Sequence, residues 1–277
     1  MQTPADLHSR DFILSRDEKT PRWWVRDDPV ATAFFNALSG TFPQGERFFI
    51  ESVKHYRDCV PEDLRKQITV FAAQESKHTR EHVVFNRLIS DGGYDVALID
   101  QQTKERFDMG RKLGRPIDHL AVTAALEHFT AIMAHDALTT DDHLDGAPEE
   151  IKRLWRWHAM EEIEHKSVAY DTLLVVTANI HPLRRWVLRA SHMFLSTTQF
   201  LDMLFRSMAI FFRKDGINTT GTWLKVFHFL LVRPGMFRRI ARNYFAYYKP
   251  GFHPWKLDDS ALVAQAEENM GVAYATA

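Results

Sequence analysis

The chain has 277 residues, of which 45% are hydrophobic and 26% charged, with 35 basic and 36 acidic side chains and a formal net charge of -1. Such a composition excludes a disordered or fibrous chain, supplies a core for one large domain or two small ones, and provides no overall positive field for nucleic acid. The single cysteine, Cys59, excludes an internal disulfide and points to a reducing, cytoplasmic compartment.

Residues 1–28 mix charges with Pro21 and the pair Trp23-Trp24; they read as an N-terminal arm across a helical body and carry no apolar run of the secretory kind. From Pro29 to about Asp58, Phe34, Phe35, Leu38, Phe42, Phe49, Ile50 and Val53 recur at spacings of three and four. That predicts a helix with Glu46 on its apolar face. Pro61 starts a second helix that runs to about Ser90, where Gly92-Gly93 end it; its inward face is Leu64, Ile68, Phe71, Ala72, Glu75, His78, His82 and Phe85. The stretch 91–118 lacks strong periodicity and reads as a crossover. A third helix is expected from Asp118 as N-cap through Glu127, and a fourth from about Glu149 to Ala178.

After Pro182 the chain alternates aromatic and aliphatic runs with arginines such as Arg184, Arg185, Arg189 and Arg206. Polar residues interrupt these runs too often for a membrane span. Two readings stay open for 181–256: additional helices packed on the bundle, or a basic amphipathic surface that touches the inner membrane peripherally or an acyl substrate. Residues 257–277 are expected to form a flexible tail, and a homodimer is an open alternative.

Read in order, Glu46, Glu75-x-x-His78, Glu127 and Glu162-x-x-His165 form a degenerate repeat. Glu46 precedes Glu75 by 29 residues, Glu127 precedes Glu162 by 35, and the two Glu-x-x-His elements lie 87 apart. A carboxylate on an apolar helix face is costly unless paired or bound to metal, so four of them call for compensating cations. Glutamate and histidine without cysteine favour iron or manganese over structural zinc. His158 stands at i−4 from Glu162 and shares its face; it is either a surface histidine or a seventh ligand. His82 is a candidate second-shell group. His55, His128, His135 and His143 read as surface or satisfied core histidines, and Asp171, Glu81 or a backbone carbonyl as acceptors for the ligand imidazoles. The small residues around Glu127 would line a space for substrate: Thr123, Ala124, Thr130 and Ala131, with Thr123 or Thr130 as proton donor.

This ligand order resembles that of the ferritin-like di-iron carboxylate superfamily, and residues 30–180 look like the bacterial family catalogued as predicted metal-dependent hydrolases. His158 is similar to the extra histidine of the di-iron arylamine N-oxygenases at that one position. The resemblance implies an all-α, ferritin-like four-helix bundle over 29–180 with a dinuclear metal site and additional C-terminal helices. Its ligands would be Glu46, Glu75, His78, Glu127, His158, Glu162 and His165. It further implies two iron ions, with manganese or a mixed Fe/Mn pair as alternatives, and an oxidoreductase that uses O2, an electron donor and an apolar acyl or aromatic substrate. A hydrolase in which the metal pair activates water is the alternative.

Overall fold

The computed structural model describes residues 7–15 and 20–271, and among these every regular element is helical. Helix α1 spans Pro29–Lys54, with Pro29 in its first turn and Asp28 capping the amides of Val30 and Ala31; α2 spans Glu62–Asp91, with Glu62 and Asp63 at its positive end. The inward face expected for α2, from Leu64 to Phe85, is buried throughout.

The crossover stretch, which lacks strong periodicity, contains a helix, α3, over Val96–Leu113. Its buried stripe is only Val96, Ile99 and Thr103, too sparse to stand out against Gly110 and Gly114. The helix lies so close to α1 that a Cβ on Gly40 would meet Ile99 Cγ2 at 2.9 Å. Helix α4, Pro116–Thr139, begins two residues before the expected start. Asp118 is the third residue of a capping box with Arg115 and not the N-cap: the Arg115 amide donates to its carboxylate at 3.0 Å.

The expected fourth helix breaks in two. Helix α5, Glu149–His165, ends on the last predicted ligand, and α6, Val168–Val176, follows a turn at Lys166 and Ser167. Lys166 is buried at that turn, where its ammonium donates to Leu257 O at 2.7 Å and Asp259 at 2.5 Å. The break thus has a charged cause that apolar periodicity cannot report.

The remaining helices are α7 (Pro182–Lys214), α8 (Thr220–Leu231), α9 (Met236–Ala246) and α10 (Ser260–Met270). Helices α1, α2, α4 and α5 form the bundle, while α3 and α7 flank α1 and α4. Helix α4 is central: it packs against α1, α5, α6, α7, α9 and α10, and it is apolar nearly all round. Where a loose tail was expected, residues 260–270 form α10 against α5, held by Asp259 to Lys166 and by Glu267 to Arg10; 272–277 lie outside the described residues. No helix among the described residues is long and apolar enough to cross a membrane.

The described N-terminal residues pack on the bundle. Phe12 stacks on Trp157 at 5.3 Å, the Leu14 amide donates to Glu81, and the Trp24 indole donates to Asn36 Oδ1 at 2.8 Å.

Candidate metal centre

Four helices deliver seven side chains to one buried point: Glu46 from α1, Glu75 and His78 from α2, Glu127 from α4, and His158, Glu162 and His165 from α5. Each is at most 5% exposed. Three triads have donor atoms within 4.8 Å of one another: Glu46–His78–His158, Glu75–His78–Glu162, and Glu75–Glu127–His165. The set therefore has two poles. Glu46 and His158 mark one, Glu127 and His165 the other, with Glu75 and Glu162 between: Glu75 Oε1 lies 3.1 Å from His165 Nε2, and Glu162 Oε1 lies 3.0 Å from His158 Nε2 and 3.7 Å from His78 Nδ1.

The hydrogen-bond network fixes which ring nitrogen faces that point. Asn86 donates its amide to Ser39 O at 3.0 Å, so its Oδ1 accepts from Ser39 Oγ at 2.7 Å. Having spent its proton there, the Ser39 hydroxyl accepts from His82 Nδ1 at 2.8 Å. His82, whose pKa burial and the neighbouring His158 hold well below the usual imidazole value, is neutral; its Nε2 accepts from His158 Nδ1 at 2.6 Å. His158 Nε2 points inward, 3.0 Å from Glu162 Oε1 and 4.0 Å from Glu46 Oε1. His78, likewise neutral, donates Nε2–H to Glu161 Oε2 at 3.1 Å and turns Nδ1 inward. Gln74 donates its amide to His8 O and Glu164 Oε2, and its Oε1 accepts from His165 Nδ1 at 3.0 Å, which turns His165 Nε2 inward.

Several of the inward atoms have no hydrogen-bond partner: Glu46 Oε1, both oxygens of Glu75 and of Glu127, His78 Nδ1 and His165 Nε2. Buried polar groups are normally satisfied, so a cluster of orphans at one point marks a place for cations. Without them the carboxylates are strained electrostatically. Burial, reinforced by Glu75, pushes Glu46 well up; burial, against His165, pushes Glu75 well up; and burial carries Glu127 to about 7. For Glu162 the proximity of His165 and His158 outweighs burial and holds it low, while Glu127 and Glu162 outweigh burial at His165 and push it well up. Four carboxylates with three inward-facing imidazole nitrogens match the charge and donor preference of divalent cations.

Thr79 donates to Glu46 Oε2 at 2.6 Å, and Thr130 donates to Glu162 Oε2. Thr130 and Glu46 also line a cavity of about 400 Å³ between α1, α3, α4 and α7. Its walls are apolar, with Phe42, Phe49, Phe107 and Phe129 near the ligands and Leu113 and Leu195 toward the surface. Of the small residues expected to line the substrate space, Thr130 alone lines this cavity. Thr123 pairs with Ser52 Oγ at 2.7 Å instead, and Ala124 and Ala131 are buried elsewhere on α4, because the cavity opens on the Val122–Leu126–Phe129 face.

The acceptors for the ligand histidines also differ from expectation. Asp171 binds His253 and Glu81 binds the arm; Glu161 and Gln74 serve His78 and His165. Behind them stands Arg10, whose amide donates to Glu161 Oε1 at 2.8 Å and whose guanidinium grips both oxygens of Glu164 at 2.8 Å. His128 and His143 are buried core residues: His128 Nε2 donates to Asn243 O, and His143 Nε2 pairs with Asp136 while its Nδ1 has no hydrogen-bond partner.

An all-helical bundle whose helices converge buried glutamates and histidines on one point is, by class, a candidate metal-binding protein. The chain belongs to the family described as predicted metal-dependent hydrolase, which matches residues 8–258. The match takes in the arm that supports the site and the C-terminal helices through α9, beyond the 30–180 span that the sequence motifs cover. The chain matches no curated protein and no solved structure. The family description agrees with the hydrolytic alternative and contains nothing about oxygen chemistry.

Proposed function

We propose that the chain is a dinuclear metal enzyme acting on an apolar substrate held in the cavity against Glu46 and Thr130, and that its metals are iron used with O2. Glu46, His78 and His158 would hold one ion, Glu127 and His165 the other, with Glu75 and Glu162 shared. Such an assignment extends the ferritin-like resemblance of the motifs. Two ferrous ions would supply electrons for O2 reduction.

The observation that carries this reading is the cavity wall. Phenylalanines surround the approach to the ligands, so water is excluded and an apolar molecule is held near them. Thr130 Oγ, donating to Glu162 Oε2, is the one hydroxyl that both lines the cavity and touches a ligand candidate, and it would hold a proton at that point. The Asn86–Ser39–His82 chain orients the His158 ring so that Nε2 faces Glu46 and Glu162.

The family description favours a second reading, hydrolysis by water whose pKa the metal pair lowers. Metal analysis of the purified protein, followed by optical spectra of the anaerobically reduced protein on adding O2, separates the two. About two irons per chain and a visible band that appears on oxygenation support the oxidoreductase. Zinc or manganese, no response to O2 and ester cleavage would replace it with the hydrolase.

A further inference from the structure

Helices α7 to α9 carry a surface that the metal chemistry does not use. Between Pro182 and Lys249 the sequence holds twelve arginines and lysines against two acids, Asp202 and Asp215, although the whole chain is close to neutral. The same segment exposes large apolar side chains. On α8, Leu224, Phe227 and Leu231 follow i, i+3, i+7 along one face and are 66%, 48% and 48% exposed. On α7, Leu183, Val187 and Phe194 are exposed on the sector of the helix that also holds Phe205. The two rows join: the Phe205 ring lies 6.3 Å from that of Phe227 and 5.9 Å from that of Trp223.

From Leu183 to Phe205 this stripe runs about 33 Å at 1.5 Å per residue. Singly exposed apolar residues are ordinary, but several aligned on one face of α7 and meeting a second exposed row on α8 mark a contact surface. Arg184 and Lys225 follow Leu183 and Leu224, a quarter-turn or so round their helices; Arg213, Lys214, Arg233 and Arg242 are exposed nearby. An apolar strip edged by cations fits a surface that is apolar within and anionic at its headgroups. The cavity opens beside it. Leu195 of α7, next in sequence to Phe194, and Leu113 of α3 both line the cavity and are exposed at its mouth.

We infer that α7 and α8 dock the protein peripherally on a bilayer containing anionic lipid, with the cavity mouth turned toward the membrane so that an apolar molecule enters from lipid. The docking does not depend on whether the metal centre performs redox or hydrolytic chemistry.

Co-sedimentation of the full-length protein with vesicles tests this. One set is phosphatidylcholine alone; the other contains about one third phosphatidylglycerol. The protein is expected to bind the anionic vesicles at least about tenfold more tightly, and to release as salt is raised. The double variant Leu224→Glu/Phe227→Glu alters only exposed positions. It should keep the wild-type helix content, melting temperature and metal content while losing at least about tenfold in vesicle affinity. Arg184→Glu/Lys225→Glu should remove the preference for the anionic set. The inference is overturned if the protein fails to pellet with anionic vesicles or if the double variant binds them as wild type does. It is equally overturned if the apolar substitutions instead dissociate a dimer of a protein that ignores vesicles, since the face would then belong to a second copy of the chain.

Discussion

Replacing Arg10 by Met tests whether the arm positions the ligands or merely covers them. The arginine is 1% exposed and lies against three acids: Glu164 through both oxygens at 2.8 Å, Glu267 at 3.1 Å, and Glu161 at 3.6 Å. Methionine keeps most of the apolar stem and the Arg10 amide bond to Glu161, so what is lost is the cation. Glu267 is a quarter exposed and contributes little, whereas removing one partner of a buried pair such as Arg10–Glu164 costs about 3 to 5 kcal/mol. At about 2 to 4 °C per kcal/mol for a chain of this size, the metal-free protein should melt about 10 °C lower. A second effect separates positioning from packing. Glu164 Oε2 orients the Gln74 amide at 3.0 Å, and Gln74 Oε1 orients His165, so release of Glu164 should weaken metal binding about 10- to 100-fold. Arg10→Lys, which keeps the charge without the two-pronged grip, should fall between the two. The assays are thermal denaturation of the metal-free protein and chelator competition for the loaded one. A lowered melting point with metal affinity within about twofold of wild type would refute the positioning argument.

Glu75→Gln should abolish binding at one or both metal positions yet leave the metal-free protein as stable as wild type or more so. Its carboxyl is buried with no hydrogen bond, and a carboxyl held above its unfolded pKa costs stability at neutral pH; atomic absorption and melting curves check both parts. His158→Ala should retain the Glu127–His165 ion and lose affinity about 10- to 100-fold at the other pole, seen as two-step metal titration where wild type shows one; unchanged titration would remove His158 from the ligand set. Gly45→Leu should fill the cavity, because a Cβ there meets Phe49 and Phe107 at an easy 3.8 Å while the rest of the side chain enters the void. An apolar naphthylamine probe should then bind weakly with no loss of thermal stability. His135 and Lys166 outweigh burial and hold Asp259 below its unfolded value, so the stability it gives is complete above about pH 4 and is lost as pH falls through the lower folded value. Fluorescence of Trp255, whose ring lies 4.2 Å from Lys166 Nζ, should report α10 loosening in that acid window, and Asp259→Asn should show it already at pH 7.

The seven convergent side chains were legible because each is a glutamate or histidine at helical spacing among apolar residues, where burial without a partner makes no physical sense. The bundle helices were legible for the same reason, and α2 matched over its whole buried face. What escaped depends on partners far apart in sequence. The turn after His165 is set by Lys166 reaching Leu257 and Asp259, and α10 is fixed by Glu267 meeting Arg10; no local period encodes either. Thr123 and Thr130 looked equivalent around Glu127, but which one meets the cavity depends on how α3 and α7 pack against α4.

One signal of the second layer was nonetheless present and unused. The residue immediately before each Glu-x-x-His glutamate, Gln74 and Glu161, accepts from the histidine of the other motif: Gln74 from His165, Glu161 from His78. The motif is therefore a crossed pair in which each helix supplies ligands and also the acceptor that orients its neighbour's imidazole. The exchange is unequal. His78 faces a carboxylate that Arg10 supports through its amide, whereas His165 faces a neutral amide; a carboxylate acceptor makes the imidazole the stronger donor to a metal. His158 adds a second imidazole at the His78 pole, and the cavity ends at Glu46 of that same pole. The asymmetry thus places the more nitrogen-rich pole nearest the cavity, and the Glu127–His165 pole behind it.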